Sequence, residues 1–406
     1  MITMVKNGFF RRAVLTACIS IAALIAWWGL ESNNSGISFF NGSRIFLIAL
    51  LGVIFTAYVV GILSRSLSVA FSVTTVFVWW FVTNQDWATI GIQLKSADLA
   101  CIAAALACSA AGCVLRALRW QLMMRPVVAL PFKQSLGATL IAMTGNNVLP
   151  FRAGEFIRPA FIKLRYSGNF TATFSTVVIE RLFDLIGLGA VMAFVCIFWP
   201  IAPSSEAQNS FNSSQAALWL TIVITSILGF LILLKMQTER VKGAVAWIMT
   251  IFPGQVRQRA VSLIDSFVTG LSFADNAFHV LLTLIYSLAI WAVAAVFFYY
   301  CALAFNFHIS FSGACFVLLC TSLAVALPQA PSFIGTFHWA ATLAIQQLHM
   351  PEAAAASFAI ISHAMAFIPA TIAGFIALWL MGLHLRQVIK QPQASEELDK
   401  REKRAV

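Results

Sequence analysis

Long stretches without a charge, separated by short polar connections, run through most of this chain. Apolar runs at 13–30, 45–63, 99–115, 216–234 and 280–305 are each long enough, as a helix, to cross a hydrocarbon core of about 30 Å. The run at 67–82 is shorter, but it ends in Trp79, Trp80 and Phe81, an aromatic cluster suited to the headgroup boundary. A further span at 171–199 carries Glu180, Arg181 and Asp184 in its first half, and the last third holds apolar segments at 310–327, 332–348 and 357–383.

Two of these regions read as dips that do not cross. Segment 132–150 is apolar, yet Arg152, Arg158, Lys163 and Arg165 follow it at once. A full crossing would put those four outside, whereas a re-entrant hairpin keeps them in the cytosol. Near the C-terminus the basic tail belongs inside, so an odd number of crossings is required. Either all three segments cross, or 310–348 forms a hairpin entering from the outside around Pro328 and Pro331 and only 357–383 crosses; we take the hairpin. The pattern predicts an all-α integral membrane protein of about eight transmembrane helices plus two re-entrant hairpins. Paired broken segments of opposite entry point to an inverted repeat. Residues 1–12 read as a cytosolic tail, 13–385 as the polytopic membrane domain and 386–406 as a disordered cytosolic tail.

Composition agrees: of 406 residues, 60% are hydrophobic and only 10% charged, which excludes a soluble enzyme or a nucleic-acid-binding domain. The net charge of +11 is first an orientation signal. With Lys6, Arg11 and Arg12 inside, Arg65 and then Arg116, Arg119, Arg125 and Lys133 also fall inside, and only Arg44 and Lys95 lie in early outer loops. Both termini are then cytosolic, as in the inner membrane of a prokaryote. The first helix reads as uncleaved, since no small-x-small site follows it. Val256, Ala260, Leu263, Phe267 and Leu271 recur at helical spacing opposite Arg257, Ser262, Asp265 and Ser266, which predicts an amphipathic helix on the membrane surface. The eight cysteines lie in apolar segments and read as packing residues; no metal ligand set and no cofactor is expected.

The richest chemistry is in GNNVLPFRAGEFIRP, residues 145–159. Asn146, Asn147 and Pro150 interrupt a helix, and Gly154 permits an unusual backbone angle. Irregular backbone inside a membrane is tolerated where it faces protein or a water-filled cavity. Arg152 and Arg158 offer planar donor forks to a phosphate or carboxylate, and a helix starting near Gly154 would add its positive end. We take Asn146, Asn147, Arg152, Glu155, Arg158 and Arg181 as candidate substrate contacts. Glu180 and Asp184 share a helix face, and Arg181 can pair with Asp184 or reach Glu155. These two acids, with Arg119, Pro150, Gly154, Pro328, Pro331 and Gly335, read as structural. Arg116 and Arg119 together suggest snorkelling toward lipid phosphates. His338 and His363 each read as a lone packed residue.

The order of RALRW at 116–120, NNVLPFRAGEFIR at 146–158, ERLFD at 180–184 and LPQAPSFIGTF at 327–337 resembles the flippase-like family, the lysylphosphatidylglycerol synthase transmembrane region, over residues 87–385. The resemblance implies lipid handling, by a stand-alone member without a synthase domain. Ser332 stands where many relatives have Gly, and His338 where an acid is common.

Three functions compete. The first is a translocator of lipids or lipid-linked headgroups that binds an anionic headgroup in a polar intramembrane cavity. The second is a non-transporting scaffold of lipid, polyprenyl-glycan or hopanoid biosynthesis enzymes, and the third an integral-membrane transferase. An enzyme is not expected: the outer loops hold Glu31, Asp86, Asp98 and Glu206 without the paired acids that a polyprenyl-dependent transferase uses. An aminoacyl transferase would need a soluble donor-binding domain, and about 20 residues follow the last predicted helix. The expected partners are membrane or polyprenyl-linked lipids and lipid-biosynthesis enzymes, with no nucleic acid.

Overall fold

The structure, a computed structural model, describes residues 50–54, 65–83, 87–198, 229, 236–251, 254–326 and 331–382. The predicted span at 13–30, most of those at 45–63 and 216–234, Pro328 and both tails lie outside the described residues. Every regular element among the described residues is helical. Among the described residues, four helices are long and apolar enough to cross a bilayer, and the protein is an all-α integral membrane protein. The residues group into two compact units, Met1–Ala97 with Cys320–His363, and Asp98–Leu319 with Ala364–Val406.

In the first unit, α1 (Arg65–Thr83) and α2 (Trp87–Lys95) are joined by an aromatic corner, Phe81 meeting Trp87 edge-on. The second unit begins with α3 (Leu99–Met124), capped at its start by the Asp98 carboxylate, which accepts from the Ala100 amide. At 26 residues and 1.5 Å per residue, α3 is about 39 Å long. It therefore continues well past the charge-free run that ends at 115, carrying Arg116 and Arg119 within its regular helix. Then come α4 (Phe132–Val148), a 3-10 turn (Pro150–Phe156), α5 (Ile157–Tyr166) and α6 (Phe170–Phe198). They are followed by α7 (Thr238–Ile248), α8 (Gly254–Leu271), α9 (Ala277–Leu303) and α10 (Phe311–Val325). The first unit resumes with α11 (Thr336–Gln346), and α12 (Glu352–Leu380) closes the described chain. At 11 residues, α11 is about 16 Å long and too short to span.

In the second unit, α3 lies along α9, and both touch α6. The segment predicted to dip and return does reverse. Helix α4 stops where Leu149 turns extended, with φ −97° and ψ 145°. Pro150 then starts the 3-10 turn, whose residues pack back on α4. The left-handed residue of this turn is Arg152, with φ 53°, and not Gly154 as the sequence suggested. Gly154 serves space: a Cβ there would strike the Ala142 carbonyl and stand 2.7 Å from Asn146 Oδ1, and the Cβ of an altered Gly145 would stand 2.8 Å from Gly154 Cα. The two glycines let the arms of the hairpin touch backbone to backbone.

The hairpin is tied to the C-terminal half of α12. Asn147 Nδ2 donates to Thr371 Oγ1 at 2.8 Å and Thr144 Oγ1 to the Thr371 carbonyl at 3.1 Å, while Gly374 leaves room for Thr144. Small and hydroxylated residues let helices approach closely where lipid offers no hydrophobic drive.

Helix α8 corrects a second expectation. Leu271 is buried, and Phe267 packs with it against Ile179 and Phe183 of α6; Asn169 donates to Ser266. The amphipathic face is thus satisfied by protein along its C-terminal half, and Leu263 remains exposed. Lys242 of α7 pairs with Glu239 at 2.7 Å and with Asp265 of α8. Those hydrogen bonds, Asp265 first, raise its ammonium above the ordinary lysine range.

The close contact at Gly154 is testable. Gly154→Val should force the hairpin arms apart and destabilise the protein by about 2–3 kcal/mol, lowering the thermal midpoint in detergent. Gly112→Ala, where nothing lies within 4 Å, should leave the midpoint unchanged or slightly higher. Equal melting of the two variants would refute the close packing.

Candidate functional site

The functional side chains of the second unit converge because three short signals in the chain meet on one helix face. On α6, Glu180 and Asp184 are one turn apart, and α3 presents Arg119 to both. Arg119 is wholly buried. Its Nη2 donates to Glu180 Oε1 at 2.8 Å and its Nη1 to Asp184 Oδ1 at 2.7 Å. Nη1 also donates to Ser287 Oγ of α9 at 2.8 Å, and Ser287 in turn donates to the Thr283 carbonyl. The snorkelling expected of Arg119 does not occur, because two carboxylates and a hydroxyl hold the guanidinium inside the protein.

The ion pairs continue on either side. Arg158, buried at the start of α5, stands 2.5 Å from the other oxygen of Glu180, and its guanidinium carbon lies 5.1 Å from the centre of the Trp120 ring, a cation–π distance. The Trp120 indole donates to Thr176 Oγ1 of α6. On the other side, Arg181 Nη1 donates to Asp184 Oδ2 at 3.1 Å, and Arg181 Nε lies 3.2 Å from Glu155 Oε1 in the 3-10 turn. Both pairings anticipated for Arg181 are present. The result is a six-membered ladder of alternating sign: Arg158, Glu180, Arg119, Asp184, Arg181 and Glu155. It links α5, α6, α3 and the broken hairpin. Arg152 stands within the field of Arg181, Glu155 and Asp184.

The ladder accounts for Arg158, Glu155 and Arg181 among the candidate contacts, and Asn147 is engaged with α12. Asn146 presents a buried Oδ1 without a hydrogen-bond partner beside Gly154. Ser287, Trp120 and the bridging role of Arg119 were missed in the sequence. A serine in the middle of a largely apolar helix was the available signal for the first.

In the first unit, the residues of the predicted outer hairpin form a separate constellation. Ser332 and Phe333 are left-handed, with φ 60° and 56°, and Gly335 reaches φ 91°. A side chain at Gly335 would also meet the Val78 amide of α1 at 2.9 Å. Pro331 opens this turn. His363 lies 2.8 Å from the Ser332 carbonyl, and the Gly335 amide donates to His338 Nδ1. The two imidazoles lie 4.5 Å apart, centre to centre, with Phe81 4.9 Å from His338. Each histidine read alone in the sequence has the other as its neighbour.

Comparison with known proteins places this geometry. The family described as the lysylphosphatidylglycerol synthase TM region matches residues 65–374. The chain belongs to that family. The lysylphosphatidylglycerol synthase TM region match takes in the ladder, the broken hairpin and the histidine turn, and makes the chain a membrane, lipid-related protein. The chain is 21% identical over 248 residues to a UPF0104 membrane protein of Methanocaldococcus jannaschii, covering 61% of this chain and 97% of that one. It is also 26% identical over 299 residues, 67% of its length, to the glycosyltransferase AglD of Haloferax volcanii. It spans about half of that protein, 47%.

Because Arg119 holds two acids from one helix, Arg119→Leu should cost about 3 kcal/mol by leaving buried carboxylates short of a counter-charge. Arg119→Lys should recover only part, since a single ammonium cannot reproduce the planar fork. Thermal unfolding in detergent, followed by tryptophan fluorescence, would check this; a leucine variant as stable as the unaltered protein would rule out the buried ladder.

Proposed function

We propose that this chain is a translocator of membrane lipids or lipid-linked headgroups, residing in the cytoplasmic membrane of a prokaryote with both termini in the cytosol. The observation that carries the reading is the ladder itself. Ionisable groups on membrane helices are costly, and they mark substrate pathways when they gather at a broken segment. Here the 3-10 turn contributes Glu155 and the start of α5 contributes Arg158 to the ladder, and Arg152 takes the left-handed position of that turn. An anionic headgroup entering beside Arg152 would exchange its hydration for guanidinium donors. Movement of the hairpin against α6 would then re-pair Arg181 and Glu155, coupling headgroup passage to a change in ion pairing. No covalent step is assigned to the chain in this reading.

A second reading is favoured by one comparison. The glycosyltransferase of Haloferax volcanii is matched over 47% of its length, so the shared region is one part of a larger protein that carries a transferase name. As a scaffold, the chain would hold a biosynthetic enzyme at the membrane without moving lipid itself.

Reconstitution separates the two. Vesicles containing the purified protein should move at least one class among fluorescent phospholipids, aminoacylated phospholipids and polyprenyl phosphates faster than empty vesicles, and Arg152→Ala should slow that movement at least several-fold. If no amphiphile moves, and Arg152→Ala supports cells as well as the unaltered protein does, the translocator reading is lost and co-purification with a synthase becomes the deciding measurement.

A further inference from the structure

The ladder is not equally firm along its length. At its centre Arg119 and Glu180 have 0% and 3% of their side-chain surface exposed, and Arg158 has 5%. At its outer end the Arg181 side chain is 38% exposed and Glu155 21%. The Arg181–Glu155 contact is also the longest in the ladder, 3.2 Å against 2.5 to 3.1 Å for the others. Arg181 Nε is buried, yet it completes no hydrogen bond with Glu155. Within the ladder the Arg181 side chain donates one hydrogen bond, from Nη1 to Asp184 Oδ2. A partly exposed ion pair without a hydrogen bond is worth little by itself, and an anion that can satisfy the guanidinium donors can replace its acid.

The 3-10 turn does not depend on that contact for its place. Phe156, the residue after Glu155, stacks on Phe174 of α6, the rings 5.2 Å apart and 8° from parallel, and Phe174 stacks in turn on Phe170 at 6.3 Å. Two residues beyond Phe156, Arg158 is fixed by Glu180 and Trp120. The Glu155 carboxylate can therefore swing aside while the turn stays docked on α6. We propose that Glu155 is a resident competitor for the headgroup: it occupies Arg181 while the site is empty, and a phosphate of an entering anionic lipid takes its place, with Arg181 keeping Asp184. This rests on the proposed headgroup-binding function and assigns the exchange on which binding depends to one residue pair. The apparent affinity for the anion is lowered by the fraction of molecules in which Glu155 holds Arg181, so removing this acid strengthens binding.

The test is equilibrium binding to the purified full chain in phosphatidylcholine nanodiscs, with fluorescent phosphatidylglycerol and a polyprenyl monophosphate as probes and inorganic phosphate as competitor. Glu155→Gln should tighten binding of at least one lipid probe about tenfold. Glu155→Asp, which draws the carboxylate back by a methylene, should give a smaller gain of the same sign. Arg181→Gln should weaken binding, and adding Glu155→Gln to it should change nothing further, because the competition needs both partners. Glu239→Gln removes an exposed acid that pairs with Lys242 on α7; it controls for net charge and should bind as the unaltered protein does. A lipid probe that resists displacement by inorganic phosphate assigns the anion to a headgroup; equal competition would give it to free phosphate and overturn the lipid assignment. A folded Glu155→Gln protein that binds no more tightly than the unaltered one, or gains only what Glu239→Gln gains, would overturn the inference. With lipid movement retained in vesicles, that result leaves the translocator reading intact. Binding of no probe by any variant sinks both. Should Glu155→Gln not fold, Glu155→Asp decides by the same sign, alone and combined with Arg181→Gln.

Discussion

Everything in the second unit is organised by the need to keep a fully buried guanidinium neutralised where water is scarce. Arg119 meets that need with two carboxylates from α6 and a hydroxyl from α9, so three long helices are pinned by one side chain. The cost of desolvating such a group is several kcal/mol, and only complete pairing offsets it. That requirement explains why Glu180 and Asp184 stand one turn apart, why Ser287 interrupts an apolar helix, and why Arg158 is drawn in to complete Glu180 from the other side. In the proposed reading, stability and headgroup binding would share residues, since a headgroup entering this region would meet charges that already hold the helices together.

The broken hairpin belongs to the same arrangement. Its arms touch through Gly145 and Gly154, its bend is taken by Arg152, and its side chains feed both the ladder and α12. Hydroxyl and amide bonds from Thr144 and Asn147 hold the hairpin to α12, while ion pairs hold it to α6. It is therefore gripped on one side by neutral contacts and on the other by charged ones. Only the charged side would feel an added anion strongly.

Much of this was legible in the chain, and the omissions have physical causes. Apolar run length located the helices at 171–199 and 280–305, because bilayer thickness imposes a length that composition displays directly. Helix-breaking residues located the reversal after Val148, and spacing alone paired Arg181 with Asp184. What periodicity cannot show is the neighbour on another helix. Arg119 at the end of an apolar run looks like a snorkelling residue until α6 and α9 are placed beside it, and the amphipathic stripe of α8 says that a face is covered without saying by what. The left-handed position was assigned to Gly154, the residue with the most backbone freedom, whereas that glycine was required for space. His338 and His363 meet only because the turn at Ser332 folds one toward the other.

The burial of Arg119 also constrains the order in which the molecule can be assembled. As the chain leaves the ribosome, α3 emerges about 60 residues before the acids that neutralise it. During that interval its guanidinium has no carboxylate from α6, and an arginine near the end of a membrane helix can stay hydrated only by reaching the aqueous boundary. Full burial of Arg119 therefore has to wait for α6, so the final packing of α3 is coupled to the arrival of its acids. An internal salt bridge in the mature protein becomes, during biogenesis, a timing signal.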